Sequence, residues 1–80
     1  MNTLGQVKEI IRNQLQLSSR EAAGIIMESK LAEFGADSLD AVEIALTVEE
    51  EFDIEVSKEA CEGFKTVGDI VNYVEKEKKG

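Results

Sequence analysis

Ser38 is the hydroxyl of this chain whose neighbours deserve a chemical reading. A turn signal, Phe34-Gly35-Ala36, runs into Asp37-Ser38, and no Gly or Pro interrupts the apolar-periodic stretch that follows through Phe52. Asp37 is a good helix N-cap, and Asp40, three residues on, is an acid where the helix N-terminus favours one. Ser38 therefore falls in the first turn of a helix with its hydroxyl towards solvent. Nothing near it makes it a catalytic nucleophile. The chain has no histidine, and no Ser-Lys or G-x-S-x-G arrangement surrounds Ser38.

The helix behind Ser38 has three kinds of face at about 100° per residue. Ala41, Val42, Ile44, Ala45, Val48 and Phe52 form one contiguous arc, the expected core face. Asp40, Thr47 and Glu51 lie opposite. Leu39, Glu43, Leu46 and Glu50 follow at steps of four, three and four, a narrow stripe of alternating aliphatics and carboxylates that reads as a docking surface. The plain alternative makes Leu39 and Leu46 the edge of a wide core face.

The block Gly35-Ala36-Asp37-Ser38-Leu39-Asp40, followed by Val42-Glu43 and then Glu49-Glu50-Glu51-Phe52, resembles the modification site and second helix of acyl carrier proteins. The resemblance implies that Ser38 is esterified to 4′-phosphopantetheine, whose thiol carries acyl chains as thioesters. It implies that Ser38 is a substrate of a phosphopantetheinyl transferase and that the chain has no catalytic residue of its own. A phosphodiester there would gain from the free N–H groups and dipole of the helix start. The stripe, with Asp37, Asp40 and Glu49 beside it, is the surface expected to meet acyl-transferring and synthase enzymes through their basic patches. An acyl thioester is apolar and hydrolysable, so the expected shelter is the bundle interior between the helix behind Ser38 and the short helix after it, near Val42, Leu46, Ile54, Ala60, Cys61 and Phe64. Ser57 stands where fatty-acid carriers usually have Pro, Phe34 where they have Leu, and the first connection is slightly longer. Those departures leave open a specialised relative in place of the housekeeping carrier. A peptidyl or D-alanyl carrier, or an unmodified carrier-like interaction module, is the alternative.

Composition sets the outer bounds. Eighty residues make one small domain, 1–80, without room for an enclosed active-site cleft. Seventeen acids against nine bases give a net charge of −8, which argues against nucleic acid and anionic membrane as partners. Residues 33–62 hold eleven acids and one base, Lys58, a local net of −10, so the rest carries +2. Such a block implies basic partners. No EF-hand loop is present, so no specific metal site is expected. The single cysteine, Cys61, excludes an intramolecular disulfide, suggests a reducing compartment and reads as a small buried hydrophobe. With no signal, transit or spanning segment in the sequence, a free-standing, monomeric, cytoplasmic protein is the expectation.

The rest of the chain supplies the scaffold. Thr3-x-x-Gln6 reads as a capping box, and Leu4, Val7, Ile10, Ile11, Leu15 and Leu17 carry a helix to about Leu17. Residues 18–36 are a long connection, relieved by a helical turn over 21–27 behind the Ser18-x-x-Glu21 box. Ile25, Ile26, Leu31 and Phe34 should pin it down. Residues 52–56 alternate like a strand without a partner and read as an extended link, with Ile54 and Val56 inward. Ser57 caps a short helix, Lys58–Glu62, stopped by Gly63. Thr66-x-x-Asp69 opens the last helix, with Val67, Ile70, Val71 and Val74 inward, Tyr73 at its flank and the tail from Lys76 to Gly80 frayed. The expected architecture is all-α: a small four-helix bundle of three longer helices and one short one, with a long first connection.

Overall fold

The computed structural model describes residues 2–78. Five α-helices follow in order: α1 (Thr3–Leu15), α2 (Ser19–Ala23), α3 (Ser38–Phe52), α4 (Lys58–Glu62) and α5 (Val67–Glu77). A single 3-10 turn, Leu31–Phe34, lies between α2 and α3. Three helices are long and two span five residues each. The described residues form no strand, and only Lys30 and Thr66 make an isolated antiparallel bridge. The tail expected to fray from Lys76 is instead helical through Glu77, with the Lys78 amide donating to the Val74 carbonyl at 2.9 Å. Lys79 and Gly80 lie outside the described residues.

Each long helix contributes the stripe its periodicity demands. Val7, Ile10 and Ile11 of α1, Ile44, Ala45 and Val48 of α3, and Val67, Ile70, Val71 and Val74 of α5 share one core with Ala22, Ile25, Leu31 and Phe64. The helix α1 packs against both α3 and α5. Leu15 is its last helical residue, since Gln16 turns left-handed at φ 55° and ends it two residues before the expected position. Its cap also differs. Asn2, not Thr3, accepts the Gly5 amide, at 2.6 Å. Thr3 is buried instead, donating to Glu75 and accepting from Lys78 at 3.2 Å, so it ties α1 to the end of α5.

The long connection is held by backbone hydrogen bonds that periodicity does not reveal. The Ser18–Glu21 box forms, but α2 runs over 19–23 and stops at Gly24, earlier than the expected turn. Beyond it, Met27 and Ser29 carbonyls accept from Gly68 and Val67 at 2.8 and 2.9 Å, and Leu31 N–H donates to Lys65 at 3.0 Å. This segment is thus stapled to the start of α5. A Cβ on Gly68 would stand 3.0 Å from the Met27 carbonyl oxygen, so the close approach favours glycine. Ile25 and Leu31 are buried as expected, and Phe34 is half-buried. Ile26 is a correction: its side chain is exposed, because its amide is turned to the Ser29 hydroxyl in a local loop.

The α4 and α5 starts follow the sequence closely. Ser57 accepts from Ala60 N–H at 3.1 Å, and Gly63 ends α4. Ile54 and Val56 are half-buried on an extended link, after Asp53 has closed α3 in the left-handed region at φ 55°. Tyr73 packs edge-to-face on Phe64, with centroids 5.6 Å apart, and donates to the Glu55 carbonyl at 2.7 Å.

At α5 the Thr66–Asp69 box is complete. The Asp69 carboxylate also accepts from the Lys65 and Thr66 amides at 3.1 and 2.9 Å. The Thr66 backbone bond is the chief reason its carboxyl lies below the ordinary carboxylate value; burial opposes it, and the Lys65 amide, the Thr66 hydroxyl and the Lys65 charge add to the lowering. A depressed carboxyl stabilises the fold above its unfolded pKa, and that stability is lost as pH falls through the folded value. Asp69→Ala should therefore cost about 1 kcal/mol near neutral pH. The cost should shrink towards zero at the acid end, below the ordinary carboxylate range, in denaturant melts at a series of pH values.

Candidate functional site

The approach to Ser38 is built residue by residue. Gly35 caps the 3-10 turn at φ 83°, a left-handed conformation that suits glycine, and Ala36 N–H reaches back to the Leu31 carbonyl at 3.3 Å. Asp37 is then extended, as an N-cap must be, and its carboxylate accepts the Asp40 amide at 2.9 Å. The Asp40 carboxylate returns to the Asp37 amide at 3.2 Å, so two acids close a capping box on each other's backbone. Ser38 is exposed as the first residue of α3, beside amides at the open end of the helix.

The faces of α3 divide largely as the wheel requires. Ile44, Ala45 and Val48 are buried, and Ala41 and Phe52 are half-buried at the margin. Leu39 is 67% exposed and Leu46 56%, so the stripe stands clear of the core. Val42 corrects the expected arc: it is 46% exposed, because it faces the gap towards α4 and not the core. Leu39, Val42 and Leu46 thus make an apolar patch starting next to Ser38, with Glu43 and Glu50 exposed on the same helix.

Two clefts separate α3 from α4. The first, about 340 Å³, is lined by Ser38, Ala41, Val42, Lys58, Cys61, Glu62 and Phe64. The second, about 280 Å³, shares Val42, Lys58 and Cys61 and continues past Ala45 and Leu46 to Glu49 and Val56. Together they run from the Ser38 hydroxyl along the exposed flank of α3. The residues expected to shelter the cargo divide between these clefts and the core. The joint space of the clefts opens on the surface between α3 and α4. Val42, Leu46, Cys61 and Phe64 line it, whereas Ile54 and Ala60 pack against the core and line neither cleft. Cys61 is half-buried, not fully buried, and its S–H lies 3.8 Å from the Ala41 carbonyl. Burial, helped by the Glu62 charge, raises its thiol pKa and keeps it protonated.

The carboxylates around the site are not equivalent. Among the described residues the ion pairs are Arg12–Glu9 and Lys78–Glu75, and neither touches the acidic block. Glu43 accepts from the Gln14 side chain of α1. Glu49, expected on the partner surface, is half-buried, and its carboxylate accepts the Val56 amide at 2.8 Å. Sequence reasoning missed that role, because Glu49, Glu50 and Glu51 are chemically identical neighbours and only the path of the later chain distinguishes them. The bonds of Gln14 to Glu43 and of Ser29 to the Ile26 amide were also missed.

The exposed stripe predicts two contrasting mutational costs. Leu46→Ala should lower unfolding free energy by less than about 1 kcal/mol, and Ile44→Ala by about 2–5 kcal/mol. Urea denaturation of both variants checks this, and a Leu46→Ala loss as large as that of Ile44→Ala would place the stripe in the core.

With that geometry in view, comparison with known proteins is specific. The family profile described as phosphopantetheine attachment site matches residues 5–74. An acyl carrier protein of Clostridium perfringens is 47% identical over 70 residues, covering 86% of this chain and 88% of the relative. One from Clostridium acetobutylicum is 49% identical over 70 residues, covering 86% and 87%. A crystal structure of an acyl carrier protein from Thermotoga maritima superposes with a TM-score of 0.69 over 91% of each chain, at 22% identity, and so shares the fold. The chain belongs to the acyl carrier protein family, which bears the phosphopantetheine attachment site.

Proposed function

We propose that Ser38 is the residue esterified to 4′-phosphopantetheine, and that the chain ferries acyl groups between enzymes of fatty-acid or related lipid and polyketide synthesis. One observation carries the assignment. The other serines already use their hydroxyls: Ser18 and Ser57 accept the Glu21 and Ala60 amides. Ser19 accepts from Arg12, and buried Ser29 accepts the Ile26 amide. Ser38 alone is an exposed serine whose hydroxyl has no partner among the described residues. The free hydroxyl, the open helix start and the adjoining cleft all fit a phosphodiester-linked arm.

The residues divide the work. Loading forms a bond from Ser38 Oγ to the phosphorus of coenzyme A's pantetheine phosphate and breaks the bond to the nucleotide part. The proton must go to a base on the transferase, because the chain has no histidine and the Asp37 carboxylate is held by the Asp40 amide. When bound, the group supplies a thiol that carries the acyl chain as a thioester. Leu39, Leu46, Glu43 and Glu50, with the rim carboxylates of Asp37 and Asp40, offer client enzymes an apolar strip edged by negative charge. Such rim charges act mainly on association rate and its salt dependence. The cleft past Val42, Cys61 and Leu46 shelters the cargo, and each methylene buried contributes about 0.8 kcal/mol.

Incubation with coenzyme A and a broad-specificity phosphopantetheinyl transferase tests the assignment. The wild-type intact mass should rise by one phosphopantetheine, and Ser38→Ala should gain none. Loading of the alanine variant would move the site to another serine.

A further inference from the structure

The wall of the cleft is lightly held: Ala60 and Cys61 are half-buried against the core, and several backbone bonds converge on one residue. None of the five residues of α4 is buried. Its place depends on the link before it, residues 53–57, and on Phe64 after it. Glu49 takes three amides of the α3 end and that link: its carbonyl accepts from Asp53 and from Ile54, the latter at 3.2 Å, and its carboxylate accepts from Val56 at 2.8 Å. The first two bonds are the ordinary ending of a helix. The third is not. It spans seven residues, is partly buried, and closes the link against the flank of α3 where the cleft lies. Glu49 and Val56 both line that cleft with Leu46 and Cys61. On the far side the Tyr73 hydroxyl of α5 donates to the Glu55 carbonyl of the link at 2.7 Å.

We propose that Glu49 is a positioning residue for the cargo cleft, its carboxylate latching the α3–α4 link through Val56 N–H and so setting how tightly α4 closes over a long acyl chain. This rests on the sheltering role assigned to the cleft above. The latch works because a carboxylate accepting a partly buried amide makes one of the stronger hydrogen bonds available, whereas α4 has little apolar burial to resist opening. Removing the acceptor frees the link and lets water reach the thioester of a chain long enough to enter the cleft. An acetyl group is too short to be protected, so its exposure does not depend on the latch.

Two measurements on the loaded protein test this. The first is hydrogen exchange at the Val56 amide, which should quicken at least tenfold in Glu49→Ala and return towards wild type in Glu49→Gln, whose side-chain carbonyl still accepts. The second is cleavage by hydroxylamine of octanoyl and acetyl thioesters on each variant. Wild type should lose octanoyl several-fold more slowly than acetyl. Glu49→Ala should bring octanoyl close to acetyl, with the acetyl rate unmoved, and Glu49→Gln should restore the difference. A merely structural role would lower stability without this dependence on chain length. If Glu49→Ala lacks a cooperative melt, Glu49→Met, which keeps the stem but offers no acceptor, carries the same expectation. Unequal rates in wild type that persist in these variants, or an unchanged Val56 exchange, overturn the latch alone. Equal rates in wild type overturn the sheltering itself, and the latch with it.

Discussion

Ile44, Ala45 and Val48 bury one narrow face of α3 in a core shared with α1 and α5, and that burial fixes the helix on which the functional groups stand. Side chains the size of Ile44 and Val48 contribute about 1.5–3 kcal/mol each when fully buried. That is a large share of the roughly 5–15 kcal/mol net stability of a small domain. With the anchoring done by so few positions, Leu39, Val42 and Leu46 can stay exposed without loosening the helix. Ser38 can sit at its first residue because Gly35 and the Asp37–Asp40 box fix the start of α3 from outside the core. Anchor and display are separate faces of one helix.

The same separation organises the charge. Ten net negative charges within residues 33–62 repel one another, and none of those acids is ion-paired among the described residues. Several are nevertheless held by hydrogen bonds. Asp37 and Asp40 close a capping box, Glu43 meets Gln14, and Glu49 holds the Val56 amide. Exposed Glu50 has no such partner and keeps its charge for encounter with basic surfaces. A block of acids that composition shows as uniform is thus partly structural scaffold and partly docking edge.

What was legible in the sequence followed from short-range physics. Periodicity found the core faces of α1, α3 and α5, and cap chemistry placed the starts at Ser18, Asp37, Ser57 and Thr66, because both are set within a few residues. Ser38 and its exposed flank were readable on the same grounds. The misses share an opposite cause. Thr3 joins α5 across the bundle, the Met27–Leu31 segment pairs with the start of α5, and Glu49 reaches across the link to Val56. Ile54 and Ala60, expected beside the cargo, pack against the core. Contacts between distant parts of the chain leave no local pattern.

The reading of the site joins Ser38 to a cleft that continues past Val42, Cys61 and Leu46. Melting temperatures of the Ser38-loaded protein bearing acyl chains of increasing length test that union most directly. Sheltering predicts that the melting temperature rises with each of the first several carbons and levels off once the cleft is full. Cys61→Phe, which fills the cleft, should load normally and show no rise. Identical melting temperatures across the wild-type series would contradict it and leave the cargo in water.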